Sequence, residues 1–84
     1  MAKITVRYRD PLKELTGRAE EQLNLPAVKD VLKHVKRAYG SDAHKLAKSM
    51  LIAIDGDSIL LRRGLATQLQ DGETVQFLPI CGGG

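Results

Sequence analysis

The chain has 84 residues, a length that fits one small domain with a thin hydrophobic core. Hydrophobic residues make up 43% and charged residues 27%, a composition typical of globular proteins, and no apolar run is long enough to span a membrane. The single cysteine excludes a disulfide framework within the chain, and a net charge of +3 with 4% aromatic residues argues against a nucleic-acid-binding surface.

Two alternating segments near the N-terminus predict a β-hairpin. Residues 3–9 place Ile4, Val6 and Tyr8 on one face, the pattern of a half-buried strand. This pattern begins at the N-terminus itself, so we read no signal peptide and expect a cytoplasmic protein. Residues 18–25 alternate in the same way. The inner side of this second strand is predicted to carry Ala19, Leu23 and Leu25.

The segment between these strands, residues 12–17, predicts a loop or a single turn with Leu12 and Leu15 packed beneath it. From residue 27 the apolar period becomes helical and ends at Gly40, a good C-terminal cap. The apolar stripe of this helix consists of Val28, Val31, Leu32, Val35 and Tyr39. Its opposite, basic side consists of Lys29, Lys33, Lys36 and Arg37.

The second half of the chain predicts a short helix over residues 42–49 and three further strands. Residues 50–54 form a continuous apolar run, which indicates a central strand buried on both faces. Asp-Gly turns separate this run from a short strand at 58–61 and from a last strand at 74–80.

This order of elements predicts an α+β domain with the β-grasp, or ubiquitin-like, architecture. One main helix then packs on one face of a four- to five-stranded mixed sheet, because a helix and a sheet each bury one apolar face against the other. We assign residues 1–80 to the domain and residues 81–84 to a flexible glycine tail. The last strand is expected to lie inside the sheet and to hold the base of the tail.

Three stretches resemble the MoaD/ThiS family of ubiquitin-like sulfur carriers. Residues 12–17 (LKELTG) are similar to the family's Leu-Arg-Glu-Leu-Ala-Gly loop, and residues 69–75 (LQDGETV) to its Leu-x-Asp-Gly-Asp-x-Val signature. Pro79 and the closing glycines match the family's Gly-Gly end. The carriers of cysteine-type biosynthesis have segments more similar to residues 64–67 and to the Leu78-Pro79 pair. The molybdopterin branch has a loop more similar to residues 12–17, so the sequence does not decide between the two branches.

The resemblance implies a protein co-substrate and not an enzyme. An E1-like adenylyltransferase would activate the Gly84 carboxylate with ATP, and a sulfurtransferase or cysteine desulfurase would supply the sulfur of the resulting thiocarboxylate. The acceptor would be a molybdopterin-synthase large subunit or a cysteine-synthase-like enzyme, and a metalloprotease that trims the C-terminus is a further partner. We expect no bound cofactor or metal, no nucleic acid and no membrane.

The reaction at the tail requires a C-terminal segment without bulky side chains and a docking surface for the partner. Gly82 and Gly83 have no Cβ, so they can enter a slot only as wide as a backbone, and three extended residues reach roughly 10 Å. The docking surface is predicted beside the tail. It comprises Phe77, Leu78, Pro79 and Ile80.

Three other residues with reactive or titratable side chains receive weaker roles. Cys81 is a candidate reactive thiol, although no neighbouring cation in the sequence would lower its pKa. His34 is expected on the solvent side of the main helix and His44 in a polar segment, without a metal-binding partner set.

Two alternative functions fit the same features. A protein modifier would share the fold and the activation but would be joined through Gly84 to lysines of target proteins. A non-covalent interaction module would use the β-grasp surface alone, and its tail would have no role.

Overall fold

The computed structural model describes residues 2–79 of the chain. In this range one mixed sheet has the strand order β2-β1-β5-β3-β4, where the strands are β1 (Ala2–Tyr8), β2 (Glu20–Leu25), β3 (Leu51–Ile54), β4 (Asp57–Ser58) and β5 (Thr74–Leu78). The helices are α1 (Leu12–Thr16), α2 (Val28–Tyr39) and α3 (Ser41–Ser49). This arrangement confirms the α+β, β-grasp prediction.

Strands β1 and β2 form the predicted antiparallel hairpin, with Ala2 opposite Leu25 and Arg7 opposite Glu20. Burial alternates along β1 as the sequence indicates. The prediction for the second strand was wrong at one position. Ala19 precedes β2 and is exposed, and the inner place next to Leu23 belongs to Glu21.

Helix α1 forms the single turn that was one of the two predicted alternatives, and only one of its two leucines is buried. Leu12 is fully buried, whereas Leu15 is 48% exposed, so the prediction for Leu15 was wrong. Thr16 occupies the inner position one turn after Leu12, and its hydroxyl donates to the Lys13 carbonyl at 3.3 Å. Gly17 then ends the helix at a φ of 72°, in the left-handed region that glycine adopts without strain.

Helix α2 covers one face of the sheet with the predicted apolar stripe. Its buried residues are Val28, Val31, Leu32 and Val35, and they join the inner side chains of the sheet in one core. Gly40 ends the helix by donating its N–H to the Lys36 carbonyl at 3.0 Å. Helix α3 packs on the same core through Ala43 and Ala47.

The segment after β3 differs from the prediction of a strand at 58–61. Only Asp57 and Ser58 pair with β3, opposite Ile54 and Ala53. Residues Ile59–Leu61 form a 3-10 turn, because the Ser58 hydroxyl accepts the N–H of Leu60 at 3.2 Å and draws the backbone out of the sheet. As a result Leu60 and Leu61 are 78% and 80% exposed.

Strand β5 lies inside the sheet, as predicted. It runs parallel to β1, with Tyr8 opposite Phe77, and antiparallel to β3, with Leu51 opposite Leu78. Hydrogen-bonded neighbours on both sides fix its backbone, and therefore fix the point at which the chain leaves the sheet. No helix among residues 2–79 is both long and apolar enough to cross a bilayer.

Candidate functional site

The candidate site is the end of β5, where the tail begins. Phe77 is fully buried and stacks on the ring of Tyr8 at 6.0 Å between centroids, with 12° between the ring planes. Its side chain therefore anchors β5 to the core and cannot contact a partner. Among the predicted docking residues that the structure describes, only Leu78 and Pro79 offer accessible surface.

Leu78 lies on the sheet face opposite the helices. It is half-buried and sits directly across from Leu51, which is also half-buried, so the two leucines form a small apolar spot on this face. Gln76, two residues before Leu78, is partly exposed, and Pro79, the next residue, is exposed. We call Leu51, Gln76, Leu78 and Pro79 the tail-root surface. Its partly exposed apolar side chains lie at the end of β5, where a docking site for a partner of the predicted tail is expected.

The other predicted site residues lie outside the part of the chain that the structure describes. They are Ile80, the candidate thiol Cys81, and Gly82, Gly83 and Gly84. Their roles stay predictions. Within residues 2–79, no group of three or more histidine, cysteine or acidic side chains is arranged to bind a metal ion.

A carboxylate cluster on the helix side was missed by the sequence analysis. The Oε2 atom of Glu21 accepts hydrogen bonds from the hydroxyls of Tyr8 at 2.5 Å and Tyr39 at 2.7 Å. His34 Nε2 lies 3.2 Å from the same oxygen. The placement of His34 on the solvent side was thus wrong, because its imidazole is partly buried against β2. The alternation of β2 could have predicted the inner position of Glu21, because positions 21, 23 and 25 lie on the same face of the strand.

The cluster shifts the pKa of each hydroxyl and carboxyl group in a direction that burial and hydrogen bonding explain. Burial alone would raise the pKa of Glu21, but hydrogen bonds from Tyr8 and Tyr39 and the proximity of His34 outweigh it and lower that pKa. Burial and the Glu21 hydrogen bond raise the pKa of Tyr39 to about 12, and they raise the pKa of Tyr8 further. Both tyrosines thus stay neutral donors, and the cluster ties β1, β2 and α2 together.

The cluster predicts an alkaline loss of stability. The pKa of Tyr8 is higher in the folded chain than its usual value of 10.0, so its contribution is complete below pH 10 and declines as the pH rises beyond it. We expect Tyr8→Phe to destabilise the protein by about 1.5 kcal/mol or more at neutral pH, because a hydrogen bond to a charged group is lost. Urea unfolding at neutral and at alkaline pH measures both effects. A gap between the two proteins that stays constant above pH 10 would contradict the assignment.

Residues 6–84 match the family model described as the ThiS family. The chain belongs to the ThiS family. The family is one of small ubiquitin-like sulfur carriers and modifiers. No curated protein sequence matched the chain significantly.

Solved structures agree with this membership. Small archaeal modifier protein 1 from Methanosarcina acetivorans is 28% identical, with a TM-score of 0.88 over 100% of this chain and 98% of that one. Two more distant structures show the shared fold. A chain of the Amycolatopsis orientalis BexX/CysO complex is 19% identical, with a TM-score of 0.80 over 96% and 99% of the two chains. A chain of the Helicobacter pylori complex of molybdopterin-converting factor subunits 1 and 2 is 23% identical, with a TM-score of 0.71 over 96% and 99%.

Proposed function

We propose that this ThiS family member is a sulfur carrier whose Gly84 carboxylate is converted into a thiocarboxylate. The observation that carries the proposal is the interior position of β5 between β1 and β3. A strand hydrogen-bonded on both edges presents the residues after Pro79 from a fixed point, next to a partly apolar surface. Family membership and the closing glycines of the sequence supply the chemistry.

The reaction begins with activation, because a carboxylate spreads its charge over two oxygens and is a poor electrophile. An E1-like adenylyltransferase joins the Gly84 carboxylate to AMP and releases pyrophosphate from ATP. The terminal sulfur of a persulfide on a sulfurtransferase or a cysteine desulfurase then forms the C–S bond as the bond to the AMP oxygen breaks and AMP leaves. A thiol reductant cleaves the S–S bond of the resulting acyl disulfide, which returns the donor as a thiol and leaves the thiocarboxylate on Gly84. The globular domain performs no chemistry and acts as a co-substrate with no bound cofactor.

The receiving enzyme belongs to the same proposal. The tail-root surface docks on it while Gly82 and Gly83 pass through a slot that is closed to side chains. The acceptor makes either a molybdopterin precursor or a cysteine-type product. The Pyrococcus furiosus and Helicobacter pylori structures carry molybdopterin-converting-factor names and the Amycolatopsis structure carries the CysO name, so the comparisons favour neither acceptor.

Intact-mass measurement tests the carrier function. The chain is incubated with ATP, the E1-like enzyme of its source organism and a sulfur donor. We expect a mass increase equal to the replacement of one oxygen by sulfur, and we expect none when ATP is omitted or when residues 82–84 are deleted. An unchanged mass with an enzyme that adenylates its own known carrier would reject the proposal.

Conjugation through Gly84 to target lysines is the second candidate function. It is favoured by the 28% identity to an archaeal modifier protein over the whole chain. Cells that express an epitope-tagged chain would then show a ladder of covalent adducts that depends on Gly84 and survives reducing denaturation. A ladder without any thiocarboxylate would favour the modifier over the carrier.

A further inference from the structure

A cleft of about 450 Å³ lies between the end of β1, the start of α1 and the residue before β2. The parallel register sets Arg7 opposite Gln76 and Tyr8 opposite Phe77, so both strands end at the same edge of the sheet. The cleft is therefore a neighbour of the tail-root surface. We call it the cationic cleft, and its lining consists of Arg7, Tyr8, Arg9, Asp10, Lys13 and Ala19.

The positive charge of this cleft is not neutralised within the domain. Three exposed cations line it against one carboxylate, that of Asp10. The ion pairs found in residues 2–79 join Glu21 to His34, and Arg62 to Asp57 and Glu73, so none of them involves Arg7, Arg9 or Lys13. Glu20 lies opposite Arg7 across the hairpin, yet it forms no ion pair with it either.

We propose that the cationic cleft binds an acidic segment of the protein that activates the tail. The proposal rests on the carrier function and names the chemistry of that partner. Its docking face carries an apolar contact for Leu51 and Leu78 and, beside it, aspartate or glutamate side chains that reach Arg7 and Arg9. Arginine suits this task because its planar guanidinium pairs with a carboxylate through two hydrogen bonds.

A protein segment fits the cleft better than a small anion does. The cations are exposed, so a lone phosphate would stay in competition with water and would gain little. Carboxylates on a partner already held by the two leucines bind without a second loss of translational freedom.

A protein segment also fits better than nucleic acid. Single-stranded nucleic acid stacks its bases on exposed aromatic rings. Tyr8 and Phe77 are buried, and the hydroxyl of Tyr39 is bonded to Glu21 on the helix side. The cleft therefore lacks an aromatic platform.

Exposed charges at an interface act mainly on the association rate and on its salt dependence. We expect the double variant Arg7→Glu/Arg9→Glu to associate with the E1-like enzyme of the source organism about tenfold or more slowly at low salt. The wild-type association rate should rise as the salt concentration is lowered, and this rise should largely disappear in the double variant. Surface plasmon resonance with immobilised enzyme and ATP gives the rates, and circular dichroism confirms the fold of the variant.

The matched control is Lys29→Glu/Lys33→Glu on α2. It makes the same change in net charge with exposed residues on the helix side of the sheet. We expect association within about twofold of wild type, because these charges lie away from the docking face. An equal loss in both double variants would assign the effect to overall charge and would overturn the proposal. Tighter binding of the wild type to a single-stranded oligonucleotide than to the enzyme, lost in Arg7→Glu/Arg9→Glu, would assign the cleft to nucleic acid.

Failure of the cleft and failure of the carrier function give different results. If Arg7→Glu/Arg9→Glu associates with the E1-like enzyme at the wild-type rate and forms the thiocarboxylate normally, the result overturns only the binding role of the cleft. If the variant associates more slowly with the E1-like enzyme but the wild-type chain never gains sulfur, the result supports the binding role of the cleft and overturns the carrier function. A wild-type chain that does not bind the enzyme overturns both.

Discussion

We expect Gly83→Ala to lower thiocarboxylate formation about a hundredfold while leaving the unfolding temperature unchanged. The added methyl group widens a segment that must enter a slot, and a displacement near 1 Å at the reacting group costs about that factor. The core described by the structure draws only on residues from Ala2 to Phe77, so a methyl group at position 83 removes no core contact. Time courses of intact mass give the rate, and thermal melts give the stability.

Cys81→Ala supplies the control for this experiment. Cysteine already has a Cβ, so its replacement by alanine makes the side chain at position 81 smaller and does not widen the tail. If the thiol has no chemical role, this variant gains sulfur at the wild-type rate. A wild-type rate for Gly83→Ala would reject the narrow-slot argument, whereas loss of sulfur transfer in Cys81→Ala would give the thiol a role.

Phe77→Ala should be the most destabilising single substitution in β5. The ring is fully buried and stacks on Tyr8, and removal of a buried phenylalanine costs about 3–5 kcal/mol. Small domains have about 5–15 kcal/mol in total, so this loss is a large fraction of the free energy of unfolding. Because the chain contains no tryptophan, urea unfolding is best followed by far-ultraviolet circular dichroism.

Leu78→Ala is the neighbouring control, since its side chain is only half-buried and faces away from the helices. It should cost about 1 kcal/mol, because roughly half of a leucine side chain is removed from water. Its larger effect should fall on binding to the E1-like enzyme. Equal losses of stability in the two variants would contradict the division of β5 into an anchoring side and a docking side.

The sequence predicts the parts of this fold that depend on local periodicity. Alternation in β1 and the helical stripe of α2 identify which faces are buried, because each pattern repeats several times. The interior place of β5 also follows, since an N-terminal hairpin joined by one helix to later strands leaves few topologies.

The errors arise where side-chain contacts decide what the apolar pattern alone does not show. Glu21 occupies an inner position because three partners on β1 and α2 bind its carboxylate, and these contacts are distant in sequence. Residues Ile59–Leu61 leave the sheet because the hydroxyl of Ser58 captures a backbone N–H. The position of the cationic cleft relative to the tail-root surface likewise depends on the parallel pairing of β1 with β5, which no short window of sequence shows.

Localising the sulfur atom tests the central claim most directly. No lysine or arginine follows Arg63, so trypsin releases residues 64–84 as one peptide from the reacted chain. Fragment masses of this peptide should show oxygen replaced by sulfur at Gly84 and an unmodified Cys81. Sulfur added to Cys81 as a persulfide, with an unaltered Gly84 carboxylate, would contradict the account.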